Sequence, residues 1–305
     1  METEQNKLYI VLVSIHGLLR GHNMELGRDA DTGGQTKYVI ELARALSEHP
    51  DVNRVDILTR QVIDPKIDTD YSYPMEEIAH GANIIRLPCG PRRYLRKEVL
   101  WPYLDSFIDN SLQHFRKISR VPDVIHGHYA DAGYVGSRMS QLLGVPLIQT
   151  GHSLGRVKKQ RMLDSGANEK TIENQYNISQ RIEAEEIALG NSALVIASTS
   201  QEVEEQYSQY ENYQPKRMMI IPPGIDLVNF HPPQRGDKRP AIENDVNRFL
   251  KHPKKPMILA LSRPDVRKNI STLVRAYGEN QKLREHANLV IVAGNRDDIR
   301  SMEKG

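Results

Sequence analysis

The chain has little of what marks several common protein classes. A single cysteine, Cys89, occurs among 305 residues, which excludes an internal disulfide and a cysteine-rich zinc site and fits a reducing compartment. Neither sign of charge is in excess, because 41 Lys and Arg face 39 Asp and Glu. Composition therefore gives no support for binding to nucleic acid or to an anionic membrane surface. No apolar run approaches the roughly 18 residues that a bilayer-spanning helix needs, so we expect no membrane segment.

Targeting signals and two nucleotide-binding signatures are also missing. The N-terminus, Met1-Glu2-Thr3-Glu4, is acidic and leads directly into an apolar run. That is not the pattern of a secretory signal, so we expect a cytoplasmic protein. No Gly-x-Gly-x-x-Gly follows the first apolar run, and Gly-x-x-x-x-Gly-Lys-Ser/Thr is absent. These absences argue against a nicotinamide dinucleotide site and against an ordinary P-loop NTPase.

The chain does contain a repeated alternation of apolar runs and amphipathic segments. Residues 8–13, LYIVLV, form a continuous apolar run, which is typical of a strand buried on both faces of a parallel sheet. Apolar residues then recur at helical spacing from Val39 to Leu46, which predicts a helix over 36–48. The same patterns predict strands at 54–59, 83–87, 123–128, 146–152, 193–198, 218–221, 256–262 and 288–294, and helices at 101–117, 134–143, 169–189, 201–210 and 271–282.

This alternation favours an α/β fold with a parallel sheet wound on both faces. The chain length suggests roughly two domains. We expect an N-terminal Rossmann-like domain over 1–230, a linker rich in proline and charge over 231–255, and the beginning of a second Rossmann-like domain over 256–305. The last segment offers only about fifty residues, too few for a complete α/β domain, so we expect a partial sequence.

A pair of glycines separates the first predicted strand from the first predicted helix. Gly33, Gly34 and Gln35 lie where that helix begins, and the unpaired N–H groups and dipole of a helix N-terminus attract anions. Glycine also allows close backbone approach. A phosphate-facing loop and a simple tight turn both fit this pattern. The preceding Asp29 and Asp31 have the spacing of an acidic metal pair, but a metal there is the less favoured interpretation.

Polar residues follow other predicted strands at the same edge of the sheet. Parallel sheets bind ligands at the carboxyl ends of their strands, so we expect His128, Asp131 and His152 to share a cleft between the two domains. Arg263 and Lys268 follow the strand that opens the second domain and precede a helix. One guanidinium and one ammonium beside a helix N-terminus suit a diphosphate, although a solvated charged loop also fits.

Two further patterns are weaker. His126-Gly127-His128 places two imidazoles on one face of a strand, but no third ligand accompanies them at metal-site spacing, so zinc is improbable. Several basic residues could form a second anion site, or could simply belong to solvated loops. They are Arg92, Arg93, Arg96, Lys97, Arg156, Lys158, Lys159 and Arg181.

Five motifs, in this order, resemble one family. They are Ser14-Ile15-His16-Gly17, Asp31-Thr32-Gly33-Gly34-Gln35, His128-Tyr129-Ala130-Asp131-Ala132-Gly133, Gly151-His152-Ser153-Leu154-Gly155, and Ser262-Arg263-Pro264-Asp265 with Lys268-Asn269. Together they resemble the sucrose-phosphate synthase branch of the retaining GT-B glycosyltransferases, which also include sucrose synthase. The resemblance extends over essentially the whole chain. It implies two Rossmann-like domains facing across a cleft, and transfer of glucose from UDP-glucose to the 2-hydroxyl of fructose 6-phosphate with retention, giving sucrose 6-phosphate and UDP.

The resemblance also implies roles for individual residues. His152 would be catalytic, contacting the transferred glucose and stabilising the charge that develops as the glycosidic bond breaks. The implied acceptor-binding residues are Gly34, Gln35, Lys97, Lys158 and Arg181. The implied donor-binding residues are Gly33, Gly34, Arg263 and Lys268, of which the last two would neutralise the leaving diphosphate in place of a metal. The expected partners are small molecules only, fructose 6-phosphate and a nucleotide-glucose, with no required cofactor or metal and with Mg²⁺ at most stimulatory.

One departure from the family pattern concerns the second domain. The family carries there a pair of glutamates that hold the donor ribose and sugar hydroxyls, and the chain stops before such a segment. We therefore expect an acceptor domain with half a donor site and little or no transferase activity from this chain alone. Two alternatives stay open: sucrose synthase or another retaining GT-B transferase with a different acceptor, and a non-catalytic module that binds a sugar phosphate.

Overall fold

The computed structural model describes residues 7–293, apart from residues 229, 233, 235, 237, 239 and 263–267. Internal contacts divide the chain into two units, Met1–Pro223 and Gly224–Gly305. Strands and helices alternate along both units, which confirms the predicted α/β class.

The first unit is built around an eight-stranded sheet. Its strands are β1 (Leu8–Val13), β2 (Val52–Arg60), β3 (Met75–Ala79), β4 (Ala82–Leu87), β5 (Val124–His128), β6 (Leu147–Thr150), β7 (Leu194–Ala197) and β8 (Met218–Ile220). In space they follow the order β3-β4-β2-β1-β5-β6-β7-β8. All neighbouring pairs are parallel except β3 and β4. The expectation of a parallel sheet therefore needs one correction, because the unpredicted edge strand β3 runs antiparallel.

Helices cover both faces of this sheet. They are α1 (Gly34–Ser47), α2 (Leu104–Lys117), α3 (Ala130–Leu143), α4 (Gly155–Asp164), α5 (Glu169–Tyr176) and α6 (Ile178–Asn191). Successive strand residues point to opposite faces. Accordingly Val11 packs into the core cluster that contains Phe107 of α2, whereas Leu12 packs into the cluster that contains Val39 of α1. Two covered faces explain why the run from residue 8 to 13 is apolar at every position.

Some predicted helices differ from the observed ones. The helix predicted over 169–189 is divided at Asn177, which has a φ of +46° and donates from its side chain to the carbonyl of Glu98 at 2.6 Å. Asparagine tolerates this left-handed conformation better than most residues. The segment predicted as a helix over 201–210 is a π-helix, Glu202–Gln206, followed by a 3₁₀ turn. Basic residues after Gly155 lie on α4, whose single buried residue is Gly155, so no apolar stripe announced this helix.

The second unit contains a two-stranded parallel sheet. Its elements are α7 (Ile242–Asn247), β9 (Met257–Ser262), α8 (Ile270–Glu279), α9 (Gln281–His286) and β10 (Asn288–Ala293). The predicted linker thus includes the short helix α7. The helix predicted over 271–282 divides at Asn280, whose side chain accepts from the Leu283 amide at 3.1 Å and caps α9. Over the stretches that the structure describes, no helix is long and apolar enough to cross a membrane.

The strand order creates a topological switch point beside β1. From β1 the chain passes first to β2 on one side and later to β5 on the other. In sheets of this type, the crevice outside the carboxyl ends of the strands at such a point is where ligands bind. Residues that follow β1, β5 and β6 therefore occupy the candidate site.

Candidate active site

His16 and Asp131 meet at the switch point, one after β1 and the other after β5. The Nδ1–H of His16 donates to Oδ2 of Asp131 at 2.8 Å, and both side chains are almost completely buried. Asp131 also accepts from the Ala132 amide at 2.7 Å in the first turn of α3. Burial alone would lower the pKa of His16, but the nearby carboxylates of Asp131 and Asp31 outweigh it and raise the pKa. The pair therefore favours the protonated form of a buried imidazole at the switch point.

The glycine pair opens α1 as predicted. Gly33 precedes the helix and Gly34 is its first residue, and no described side chain caps this end. A Cβ added at either glycine would meet no described atom within 4 Å. Gly17 differs, since its φ is +80° and a Cβ there would lie 2.6 Å from the Asp31 carbonyl oxygen. Packing thus explains glycine at residue 17 but not at residues 33 and 34, where the backbone is open to a ligand.

Gln35 ties the start of α1 to the neighbouring strands. Its Nε2 donates to the backbone carbonyl of His128 at 3.2 Å and to the Ser14 hydroxyl at 3.3 Å. These residues end β5 and follow β1. The side chain therefore fixes the position of the glycine pair relative to both strands of the switch point.

The two acidic residues before the glycine pair have partners within the chain. The Asp29 carboxylate accepts from the amides of Asp31, at 2.8 Å, and Thr32, at 2.7 Å, which shapes the loop. Asp31 accepts from the ammonium of Lys97 and from the Lys97 amide at 3.0 Å. Burial would raise the pKa of Asp31, but His16 and Lys97 lower it. Among the described residues, no group of three His, Cys, Asp or Glu side chains is arranged to hold a metal ion.

Three predicted acceptor-binding residues surround one small pocket. Lys97 lies in a 3₁₀ turn, Lys158 on α4 and Arg181 on α6. We call this the basic pocket; its lining residues are Lys97, Glu98, Trp101, Tyr129, Asp131, Lys158, Tyr176 and Arg181. The Lys158 ammonium lies 3.3 Å from the centroid of the Tyr176 ring, and the Arg181 guanidinium lies 4.5 Å from that of Tyr129. Residues far apart in the sequence thus converge on one pocket, in which three basic side chains lie beside the carboxylates of Glu98 and Asp131.

Glu185 holds the guanidinium of the basic pocket in place. Its carboxylate accepts from Nε of Arg181 at 3.0 Å, from the Gly155 amide at 2.9 and 3.1 Å and from the Tyr210 hydroxyl. Nη2 of Arg181 donates in turn to the carbonyl of Ser153 at 2.7 Å. Because Ser153 follows His152, this network connects the basic pocket to the predicted catalytic residue.

A row of three imidazoles forms another wall of the site. Nδ1 of His128 lies 3.0 Å from Nε2 of His152, and the rings of His126 and His128 lie 4.1 Å apart. Burial lowers the pKa of His126 to about 3 and that of His128 well below its usual value. Partial desolvation and the nearby His16 also lower the pKa of His152. His152 keeps contact with solvent, but an ordinary histidine pKa already lies below about 7. All three imidazoles are therefore neutral at neutral pH. We call these three residues the histidine wall.

Two residues of the site adopt backbone conformations that are unusual for their type. Tyr129, which precedes α3, has φ +82° and ψ 176°, a region occupied almost only by glycine. His152, which follows β6, has a φ of +56°. The Tyr129 ring contacts the His16 ring edge-on, with centroids 4.6 Å apart. Both positive φ values lie at strand ends, on the edge of the sheet that holds the candidate site.

The structure places most, but not all, of the predicted site residues. Gly33, Gly34, Gln35, His152, Lys97, Lys158 and Arg181 all lie in the first unit, at or beside the carboxyl ends of its strands. Arg263 lies outside the described residues. Lys268 is exposed just before α8 in the second unit. The ligand roles of all these residues stay predictions.

Sequence reasoning missed the partners of several site residues. The pairing of His16 with Asp131 and that of Asp31 with Lys97 join distant positions, so no local pattern announces them. Glu185 could have been found, because a carboxylate four residues after Arg181 on a helix is a recognised ion-pair spacing.

The chain was compared with known proteins. A family profile for the sucrose synthase first GT-B domain matches residues 5–234. Sucrose-phosphate synthase from Zea mays is 46% identical, and the match covers 100% of this chain and 35% of that protein. A probable sucrose-phosphate synthase of Arabidopsis thaliana is 45% identical over 97% of this chain and 34% of that protein. The chain therefore spans about a third of the length of the curated relatives it matches.

Solved structures agree with these relationships. Sucrose-phosphate synthase from Thermosynechococcus elongatus matches 97% of this chain and 64% of its own chain, with a TM-score of 0.69 and 28% identity. The catalytic domain of starch synthase IV from Arabidopsis thaliana matches with a TM-score of 0.59 over 94% of this chain and 68% of its own, and its 14% identity shows the fold alone. Because the family profile covers well over half of its residues, the chain belongs to the sucrose synthase family of GT-B domains.

Proposed function

We propose that this chain forms the acceptor-binding part of a sucrose-phosphate synthase. The reaction transfers glucose from UDP-glucose to fructose 6-phosphate with retention, giving sucrose 6-phosphate and UDP. The relatives that match along the whole chain carry that name. The structural observation that carries the proposal is the convergence of Lys97, Lys158 and Arg181 on the basic pocket, beside the switch point of the sheet.

A phosphate monoester is the anion that this pocket suits best. Arg181 is almost completely buried, and its guanidinium is oriented by Glu185, while Lys97 is only 17% exposed. A phosphate dianion can answer several such donors at once, and charge-assisted hydrogen bonds to phosphate are among the stronger ones. In this proposal the acceptor is therefore a phosphorylated sugar, whose dianion lies among the three basic side chains of the pocket.

His152 acts on the glucose in this proposal. Its neutral imidazole borders the same crevice as the glycine pair, where a substrate can approach the backbone of Gly33 and Gly34 closely. A neutral N–H donor held in place can stabilise the charge that develops as the bond to the nucleotide breaks. The proposed part of Arg263 and Lys268 is to neutralise the diphosphate of the leaving UDP.

Binding of the acceptor is the sharpest test, because it does not require a complete donor site. Isothermal titration calorimetry should show that fructose 6-phosphate binds and that fructose binds at least about tenfold more weakly, since hydrogen bonds to a charged group contribute about 1.5–3 kcal/mol. Lys158→Ala should weaken fructose 6-phosphate binding about tenfold or more.

The matched control is Lys159→Ala on the same helix. Lys159 is not among the lining residues of the basic pocket, and its ammonium pairs at 2.9 Å with the exposed Glu169. Its loss should change the affinity by less than about twofold, as expected for an exposed ion pair. Equal affinities of the wild type and Lys158→Ala for fructose 6-phosphate would show that the phosphorylated acceptor is wrong.

Sucrose synthase is the second candidate, because the matching family profile carries that name. It predicts that fructose and fructose 6-phosphate bind with similar affinity and that Lys158→Ala leaves both unchanged. The same titrations therefore separate the two candidates.

A further inference from the structure

The contact between His128 and His152 has chemistry that the proposed reaction does not use. Nδ1 of His128 and Nε2 of His152 lie 3.0 Å apart, which is hydrogen-bond distance. With both rings neutral, one of these nitrogens carries a proton and the other accepts it. The contact therefore couples the tautomers of the two residues.

Either His128 donates to His152 or His152 donates to His128, and the surroundings of His128 distinguish these two arrangements. The residue is fully buried, and Nε2 has no hydrogen-bond partner among the described residues. If Nε2 of His152 donated, His128 would have to carry its own proton on Nε2, as a buried N–H group without an acceptor. Orphaned buried N–H groups are rare in folded proteins, and unsatisfied acceptors somewhat less so. The arrangement in which His128 donates from Nδ1 is therefore the favoured one.

We infer that His128 is a positioning residue that fixes His152 as the tautomer protonated on Nδ1. The Nε2 lone pair of His152 is then occupied by His128, and the ring nitrogen available to a ligand is an N–H donor. Such a group recognises an oxygen that accepts a hydrogen bond, such as that of a sugar hydroxyl, and does not serve as a general base. The use of His152 in the reaction rests on the proposed function, whereas its tautomer does not.

Other contacts fix the positions of the His128 and His152 rings. The edge of the Tyr38 ring packs against both imidazoles, with centroids 5.9 Å from His128 and 5.1 Å from His152. Gln35 binds the backbone carbonyl of His128. His152 has a φ of +56°, a conformation that few residues other than glycine adopt. Two rings held this way do not need ligand to form their hydrogen bond.

Nuclear magnetic resonance tests the inference directly. In the whole chain labelled with ¹⁵N histidine, long-range ¹⁵N–¹H correlations distinguish a protonated ring nitrogen from a bare one. We expect His152 to show a proton on Nδ1 and a bare Nε2, and His128 to show the same pattern. A proton on Nε2 of His152 in the wild type would overturn the inference.

Two variants separate positioning from a merely structural role. In His128→Asn the amide nitrogen takes the place of Nδ1 and can still donate, so His152 should keep its tautomer. In His128→Leu the donor is lost, and His152 should become a mixture of tautomers; an unchanged spectrum would contradict the inference. His126→Asn changes the neighbouring histidine, which is bonded to Thr150 and not to His152, and should leave the His152 signals unchanged.

A parallel titration keeps this inference apart from the proposed function. If the wild type fails to bind fructose 6-phosphate but shows the expected tautomer, the proposed acceptor is wrong and the role of His128 stands. Circular dichroism of each variant checks that the fold is intact.

Discussion

The basic pocket and the histidine wall lie at the same edge of one sheet, yet their charges differ. In the pocket, Lys97 pairs with Asp31 and Arg181 with Glu185, so charges persist. The wall has no such carboxylates, and burial keeps its imidazoles neutral. His16 shows that the partner decides, because it is as buried as His126 but has a raised pKa beside Asp131. The candidate site thus joins a region of charged side chains, where we propose that a phosphate binds, to a region of neutral imidazoles, where we propose that sugar hydroxyls bind.

The largest expected effect comes from removing the counter-charge of the pocket. Glu185→Ala leaves the buried Arg181 without its carboxylate and the Gly155 amide without its acceptor. Breaking a buried pair by removing one partner costs about 3–5 kcal/mol, so the free energy of unfolding should fall by that amount in urea denaturation. Glu183 is exposed on the same helix, and Glu183→Ala should change stability by less than about 0.5 kcal/mol. Similar losses in the two variants would mean that Arg181 does not depend on Glu185.

A second experiment charges the histidine wall by lowering the pH. His126 and His128 have folded pKa values below their unfolded values, so the unfolded chain binds more protons and stability falls as the pH drops below about 6.5. Each buried imidazole contributes up to about 1.4 kcal/mol per pH unit in this range. The range extends down to about 3 for His126. Urea denaturation between about pH 7 and pH 5 measures the slope, and His126→Asn should reduce it by about one proton.

For His16 we expect the opposite dependence of stability on pH, which the same urea denaturation measures. Its folded pKa is raised, so its contribution is complete below the unfolded pKa of about 6.5 and is lost as the pH rises through the folded value. In the wild type the free energy of unfolding should therefore fall as the pH rises through the folded pKa of His16. In His16→Asn this fall should be absent. If both His16→Asn and His126→Asn altered stability only at acidic pH, or both only at alkaline pH, a carboxylate partner would not explain the difference between these histidines.

The smallest expected effect on stability concerns the glycine pair. Gly34→Ala introduces a methyl group into open space at the first residue of α1, so stability should be unchanged or rise by about 0.4–1 kcal/mol. Binding at the site should weaken, because the methyl group occupies the space through which a ligand approaches. Gly17→Ala is the matched control, since its positive φ and its contact with Asp31 predict a loss of about 1–3 kcal/mol. Calorimetry and urea denaturation on both variants test this separation of binding from folding.

Most of the first unit could be predicted from the sequence because its strands are buried on both faces. The apolar run of β1 was predicted with the observed bounds, Leu8–Val13, and the alternation with helices indicated the parallel sheet. The edge strand β3 could not be predicted, because all its residues are exposed or half-buried and no apolar run marks them. Helix α4 could not be predicted either, because Gly155 is its only buried residue and no apolar stripe marks it. Lys158 was therefore not assigned to a helix from the sequence.

The residues of the site were reached by resemblance, whereas their contacts required the structure. Lys97, Lys158 and Arg181 belong to three different elements, and only the folded chain brings these to one pocket. The ion pair of Arg181 with Glu185 was accessible from helical spacing. The pairing of His16 with Asp131 depends on which strands are neighbours, and one sequence does not contain that order.

The backbone of Tyr129 is strained in a way that the backbone of a glycine at the same position would not be. Its backbone lies at φ +82° and ψ 176°, where a side chain costs about 1–3 kcal/mol and glycine would cost little. The tyrosine nevertheless supplies the ring that Arg181 stacks on and that the edge of His16 contacts. A glycine at residue 129 would therefore relieve the strained backbone and at the same time remove both ring contacts, so a gain in stability at this position is coupled to a change in the candidate site.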